Sequence, residues 1–212
     1  MSGYQEDLKK ELVQTVHFLH GKGWAPATSS NYSFRVPEEN TFWISRSGID
    51  KGHFGAEHLM LIDDKAIPVT EPEARPSAET LLHLLLYRDE NVGAVLHTHT
   101  VNNTVLSLAH EYDKGLSLQG YEVLKGLKGI KSHEEKIWLP IFPNSQDMNA
   151  LSDEIIEYHK KTPAMPAFLL AGHGLYCWGK TIAEAKRHVE VLEFIFECII
   201  KLKLYGSAQY SR

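Results

Sequence analysis

Two histidines separated by one residue follow an apolar run of the chain. The run 94–96, Ala-Val-Leu, leads directly to His97 and, one threonine later, to His99. Its apolar and β-branched residues predict a buried strand over 92–99. Side chains two residues apart on a strand point to the same face, so the two imidazoles lie close enough to share one ion. Neutral imidazole is a common ligand of zinc and similar metals, and the pair therefore predicts a metal site at the end of this strand.

A third histidine stands in the same kind of setting. His173 follows the apolar run 167–171 and has a glycine on each side. Gly172 and Gly174 allow unusual backbone angles and close packing around a bound group. A catalytic zinc needs three protein ligands and an open position, so His173 is the candidate that completes the set. For the other histidines, which have no partner at ligand spacing, we expect structural roles: His17, His20, His53, His58, His83, His110, His133, His159 and His188.

Length and composition limit what the rest of the chain does. The 212 residues, 43% hydrophobic and 23% charged, predict one globular domain over 1–212. A net charge of −5 gives no general support for a nucleic-acid partner. Cys177 and Cys198 suggest no disulfide framework, the charged N-terminus is unlike a signal peptide, and no apolar run is long enough to predict a membrane span. We therefore expect a cytoplasmic protein with neither a nucleic-acid nor a membrane partner.

The order of predicted elements gives a fold class. Helical spacing of apolar residues predicts helices over 5–20, 78–88, 101–110, 120–127 and 147–161, and a last helix that begins with a capping-box pattern at Thr181 and ends at Gly206. Strand patterns cover 31–36, 41–45, 58–63, 66–70, 92–99 and 137–142, with a further pair over 167–179. This order predicts a mixed α/β domain in which helices cover a mainly antiparallel sheet.

Two small hydroxyl-bearing turns could bind an anion. The segments 27–31, Ala-Thr-Ser-Ser-Asn, and 45–48, Ser-Arg-Ser-Gly, adjoin predicted strands. Such turns offer backbone N–H groups and hydroxyls to a phosphate, although on their own they read simply as turns. A glutamate, Glu79, stands in the strongly apolar helix 78–88, where an unpaired carboxylate would be costly.

Several segments together resemble the class II aldolase and adducin superfamily, in the same order and over essentially the whole chain. They are RPSAETLLH (75–83), VGAVLHTHT (92–100), LLAGHGLYCWGKT (169–181) and the capped last helix. Within that superfamily, the segments PATSSNYS (26–33), SRSGIDKG (45–52), HTHTVNN (97–103) and QGYEVLKGL (119–127) are most similar to the dehydratases of 5-methylthioribulose 1-phosphate.

The resemblance implies a fold, an assembly and a reaction. The expected fold is a three-layer αβα arrangement around a central, mainly antiparallel sheet, assembled as a homotetramer with active sites near subunit boundaries. The implied reaction is the metal-dependent dehydration of a sugar phosphate, 5-methylthioribulose 1-phosphate, to 2,3-diketo-5-methylthiopentyl 1-phosphate in methionine salvage. The resemblance also implies that His97, His99 and His173 bind one zinc ion per subunit.

Roles for other residues follow from the same resemblance. Glu122 lies where the dehydratases carry their acid/base glutamate, and Glu79 lies where the aldolases carry a glutamate near the metal. The expected phosphate-binding residues are Ser29, Ser30, Asn31, Ser47, Gly48 and Ser77, with Lys51 as a helper. Position 30 departs from the family, which often has glycine there, and a side chain at this position could narrow the phosphate pocket.

Two other functions fit the sequence less well. A class II sugar-phosphate aldolase or 4-epimerase would use the same metal frame, and Glu79 beside Ser77 favours it. An adducin-like binding module would need no intact histidine set, so the retention of all three histidines argues against it. Stoichiometric bound metal separates the enzymes from the binding module.

Overall fold

Eight strands form one sheet through the middle of the fold. The computed structural model describes residues 2–37, 39–162 and 166–209. Its strands are β1 (Asn31–Arg35), β2 (Thr41–Ser45), β3 (Leu59–Asp63), β4 (Ala94–Thr98), β5 (Gly115–Leu118), β6 (Ile137–Phe142), β7 (Ala167–Leu170) and β8 (Gly174–Gly179). Their order in the sheet is β3-β2-β1-β4-β8-β7-β6-β5. Only the β6–β7 pairing is parallel among the pairings of the described strands, so the prediction of a mainly antiparallel sheet is confirmed.

Helices cover both faces of the sheet. They are α1 (Ser2–Gly21), α2 (Thr80–Leu86), α3 (Val101–Ala109), α4 (Met148–Lys161) and α5 (Ile182–Gln209). Helix α5 packs against α1 and α3, whereas α2 packs against α4. Within the described ranges, no helix is both long enough and apolar enough to cross a membrane.

The core has two parts because successive side chains of a strand point to opposite faces. Leu96 of β4 belongs to an apolar cluster with Leu12 of α1 and Leu192 of α5. Its neighbour Val95 belongs to the other cluster, with Leu82 of α2 and Ile155 of α4 among others. This gives three layers, helix, sheet and helix, and confirms the predicted α/β class.

Some predicted elements are wrong or differ in extent. Residues 66–70 form no strand but only a single bridge between Pro68 and Ile62, because proline has no N–H to donate to a ladder. Residues 115–118 form strand β5, which the sequence pattern did not predict. The helix predicted over 120–127 is a short 3₁₀-helix, Glu122–Gly126. Helix α5 continues through Gly206 to Gln209 rather than ending at that glycine.

Candidate metal centre

The three predicted histidines meet at one end of the sheet. Strand β4 pairs with β8, so that Thr98 lies opposite Leu175. His173 immediately precedes β8 and His97 and His99 lie at the end of β4, which brings the three rings together. One ring nitrogen of each can be chosen so that all three atoms lie within 4.8 Å of one another. This grouping has the size of a site for a single ion.

The hydrogen bonds of His97 direct a lone pair into this group. Its ring is fully buried, and Nδ1 lies 3.0 Å from the carbonyl oxygen of Leu175. Because a carbonyl only accepts, Nδ1 carries the proton and Nε2 keeps its lone pair. Burial, together with the neighbouring His99, lowers the pKa of His97 well below its usual value. His97 is therefore a neutral ring with Nε2 facing His99 Nε2 at 2.7 Å.

A carboxylate stands at the opening of the group. Glu79 Oε1 lies 3.1 Å from His173 Nε2, and Oε2 lies 3.8 Å from His97 Nε2. Burial alone would raise the pKa of Glu79, but the hydrogen bond with His173 and the nearby His97 lower it well below its usual value. Three imidazoles beside an ionised carboxylate are a donor set that suits a divalent ion of the zinc type, so the residues fit the predicted metal.

The orientation of His173 has a similar cause. Its Nδ1 lies 3.1 Å from Oδ1 of Asn144, which leaves Nε2 facing the site. Gly172 has a φ of +63°, in the left-handed region that favours glycine. A Cβ at Gly174 would lie 2.7 Å from His97 Cε1, so only glycine lets β8 approach that ring so closely. The two positions that flank His173 thus require glycine for different reasons: Gly172 for its backbone angle and Gly174 for its close contact with His97.

Lys51 joins the two predicted anion-binding turns. Its side chain is fully buried, and Nζ donates to the carbonyl oxygens of Ile49 at 2.8 Å and Thr28 at 3.3 Å. An ammonium group has three donors, so one remains for a ligand. Burial lowers the pKa of Lys51, and the charge of Lys51 contributes in turn to the lowered pKa of His99.

The other predicted phosphate residues occupy turns around Lys51 and Glu79. Ser29 donates its hydroxyl to the Pro26 carbonyl at 2.6 Å, and the Ser77 hydroxyl accepts from the backbone N–H of Glu79 at 3.3 Å. Ser47 and Gly48 form an exposed turn. Ser30 has a φ of +72°, in the left-handed region that glycine adopts more readily than serine.

Asn31 has a different set of partners from the predicted anion. Its Nδ2 donates to Oε2 of Glu79, and its Oδ1 is hydrogen-bonded to Nε2 of His83. The carboxamide is therefore occupied at both ends, which leaves only the second Nδ2 hydrogen for a phosphate. No sequence pattern predicts this link, because Asn31 and His83 lie far apart along the chain.

Glu122 does not meet the histidines within one chain. It begins the 3₁₀-helix after β5 and pairs with Lys125 and, at 3.3 Å, with His133. Its side chain is 67% exposed, and the hydrogen bond from Lys125 lowers the pKa of its carboxyl group. Across the part of the chain that the structure describes, no hydrogen bond or ion pair joins Glu122 to the three histidines.

The chain is similar to known proteins in sequence and in structure. The family described as Class II Aldolase and Adducin N-terminal domain matches residues 10–200. The chain is 44% identical over 190 residues to methylthioribulose-1-phosphate dehydratase of Marinobacter nauticus, a match covering 89% of this chain and 90% of that protein. It is 47% identical over 197 residues to the protein of the same name from Pectobacterium carotovorum, covering 91% and 93%.

The fold is also similar to solved structures. L-fuculose-1-phosphate aldolase from Thermus thermophilus superposes with a TM-score of 0.74 and 21% identity, over 95% of this chain and 98% of that chain. At this identity the likeness shows the fold alone, and it confirms the predicted class II aldolase-like architecture.

Proposed function

Because this chain belongs to the class II aldolase and adducin family, and within it to the methylthioribulose-1-phosphate dehydratases, we propose that it dehydrates 5-methylthioribulose 1-phosphate. In the proposed reaction a proton leaves C3 and hydroxide leaves C4. The resulting enol takes up a proton at C4 and becomes 2,3-diketo-5-methylthiopentyl 1-phosphate. We place this reaction in methionine salvage in the cytoplasm.

The observation that carries the proposal is the convergence of the three histidines beside Glu79. Their ligand nitrogens lie within 4.8 Å of one another. We propose that His97, His99 and His173 hold one zinc ion per subunit, with Glu79 as a carboxylate of the same site. A divalent ion bound there would withdraw electron density from the C2 carbonyl of the substrate and so acidify the C3 proton.

We propose that Glu122 takes the C3 proton and later helps the C4 hydroxyl to leave. Leu124, next to it in the same turn, packs in the α5 layer, whereas Val95, on the same face of β4 as His97, packs against the α2 layer. Within one chain, the two groups therefore belong to opposite sides of the sheet. Glu122 would reach a substrate at the histidines only from a neighbouring subunit.

An exposed apolar surface supports such an assembly. Helix α3 begins two residues after His99 and exposes Val101, Val105 and Leu108, by 79%, 47% and 55%. Phe194 and Leu202 of the adjacent α5 are similarly exposed. Contiguous apolar patches of this kind mark interaction sites. We propose that this surface is a contact between copies in a homotetramer.

For the phosphate end, we propose the turns around Lys51. The remaining ammonium hydrogen of Lys51, the backbone N–H groups of Ser30, Ser47 and Gly48, the hydroxyl of Ser77 and the second amide hydrogen of Asn31 would supply the donors. Ser29, whose N–H and hydroxyl both donate to the Pro26 carbonyl, would hold the turn in shape. The charge of Lys51, in a chain of net charge −5, provides a local positive site for the anion.

Two sugar phosphates test the reaction class. The metal-loaded protein should dehydrate 5-methylthioribulose 1-phosphate and leave L-fuculose 1-phosphate intact. The position of Glu79 at the histidines favours an aldolase as the second candidate. Carbon–carbon cleavage of either compound without loss of water would establish that candidate instead. A protein that binds no stoichiometric metal and turns over neither compound would support the adducin-like module.

A further inference from the structure

A continuous line of hydrogen-bonded side chains leads from the buried interior to the metal centre. It runs from Tyr87 through Ser33, His83 and Asn31 to Glu79. Ser33 Oγ lies 2.7 Å from the Tyr87 hydroxyl and 2.7 Å from His83 Nδ1. Tyr87, Ser33 and His83 are all buried. The proposed reaction has no direct use for any of these three residues.

The chemistry at the Glu79 end sets the direction of every bond in the line. An ionised carboxylate only accepts, so Asn31 must present its NH₂ group to Glu79. The carboxamide oxygen of Asn31 then faces Nε2 of His83, which must carry the proton. In a neutral ring Nδ1 is then an acceptor, and the Ser33 hydroxyl donates a hydrogen bond to it. The oxygen of Ser33 in turn accepts from Tyr87.

The surroundings of His83 keep its ring neutral. Burial lowers the pKa of His83 to about 4, although the charge of Glu79 opposes this shift. The ring therefore has one N–H at neutral pH, and only the Nε2–H tautomer satisfies both Ser33 and Asn31. The opposite orientation of the Asn31 amide would place its oxygen against the carboxylate, with no proton between them.

We propose that His83 is a positioning residue that, through the carboxamide of Asn31, fixes the Glu79 carboxylate at the three histidines. The inference rests on the proposed function, since it concerns the same metal site. Groups that orient the ligands of a metal typically change its affinity by about 10–100-fold when they are removed. The line from Tyr87 to Asn31 therefore has a measurable effect at a site that His83 does not touch.

The tautomer of His83 can be observed directly in the intact protein. Long-range ¹H–¹⁵N NMR spectra of histidine-labelled protein should show the Nε2–H tautomer for His83, unchanged from pH 5.5 to pH 9. A Nδ1–H tautomer, or a ring that titrates near its ordinary pKa, would overturn the proposal. The measurement uses no substrate, so it is independent of whether the chain is a dehydratase.

Zinc affinity tests the effect on the metal site. Competition with a chromophoric chelator should show Zn²⁺ bound at least about 10-fold more weakly by H83L than by wild type. In H83Q the side-chain NH₂ replaces Nε2–H, so its affinity should lie within about 3-fold of wild type. H188L is the matched control, because His188 is equally buried but bonds to Trp178 and Lys128. The zinc affinity of H188L should equal that of wild type.

A double-mutant cycle separates positioning from general damage. N31A removes the carboxamide through which His83 acts, so H83L should weaken Zn²⁺ binding no further in the N31A protein. If H83L fails to fold, N31A and H83Q still give the comparison, with N31A weak and H83Q close to wild type. Wild-type affinity in H83L or N31A, or an H83Q as weak as N31A, would overturn the proposal. If all these zinc results hold but the zinc-loaded wild type does not dehydrate 5-methylthioribulose 1-phosphate, the proposed reaction is wrong and the role of His83 stands.

Discussion

At the scale of single residues, the proposed metal site depends on a neutral imidazole held at Nδ1. His97 is buried, and Leu175 fixes its tautomer at 3.0 Å. We expect His97→Ala to lose bound metal and to lower turnover by more than about 100-fold, because a site with two imidazoles no longer holds a catalytic ion. Metal analysis and the dehydration assay measure both effects. His110→Ala, which removes a surface histidine paired with Asp113, is the control. Full activity in metal-free H97A protein would contradict the metal's role.

The backbone at Ser30 stores conformational strain. Its φ is +72°, and its hydroxyl donates a long hydrogen bond of 3.5 Å to the Trp24 carbonyl. A side chain in the left-handed region is disfavoured, so Ser30→Gly should raise the free energy of unfolding by about 0.5–1 kcal/mol after the greater chain entropy of glycine is counted. Urea unfolding measures this. Ser30→Ala keeps the strain and should gain nothing; equal stabilisation by alanine would show that the backbone conformation is not the cause.

At the scale of secondary-structure elements, helix α5 supports the end of β4 through a buried carboxyl group. Glu193 accepts hydrogen bonds from Thr100 at 2.8 Å and Asn103 at 2.9 Å, and both lie in the segment that follows His99. Burial raises the pKa of Glu193 from 4.5 to about 7. The folded chain thus binds this proton more tightly than the unfolded chain does.

This shift predicts a pH dependence of stability. The contribution of Glu193 is fully present below about pH 4.5 and is lost as the pH rises through about 7. The full loss is roughly 3–3.5 kcal/mol, of which roughly 2.5 kcal/mol falls between pH 5 and pH 8. Glutamine cannot ionise, so the Glu193→Gln protein should not lose this contribution. Between pH 5 and pH 8 the free energy of unfolding of wild type should therefore fall by roughly 2–3 kcal/mol more than that of the variant. Urea unfolding across this range measures the difference. Parallel curves for the two proteins would show that Glu193 is ionised throughout.

The elements also show what a sequence can and cannot predict. Strand β4 has a continuous apolar run and helix α5 a long, regular apolar pattern, and both were predicted within a few residues. Strand β5 has four residues, as β7 has, but its sequence Gly-Leu-Ser-Leu begins with glycine and contains a serine, so it lacks the continuous apolar run that made β7 recognisable. The three histidines could be predicted because each ends or precedes an apolar strand. The link from His83 to Glu79 through Asn31 could not, because it depends on β1 packing beside α2.

At the scale of the whole molecule, the position of Glu122 makes the proposed homotetramer part of the proposed mechanism. Mixed oligomers of H97A and E122Q subunits should regain activity, because one subunit supplies the histidines and its neighbour supplies Glu122. With random mixing, about a quarter of the sites would contain both intact groups. The measurement compares turnover of each variant alone with that of the co-refolded mixture. No recovery in a mixture that has exchanged subunits would place the acid/base group within one chain, and Glu79 would then be the candidate.

Proton NMR of 5-methylthioribulose 1-phosphate with metal-analysed protein would decide whether the chain catalyses the proposed dehydration. We predict that the C3 proton signal disappears as that of the dehydrated diketone grows, at a rate proportional to bound metal and abolished by a chelator. A substrate that stays intact in the presence of fully metal-loaded protein would contradict the claim.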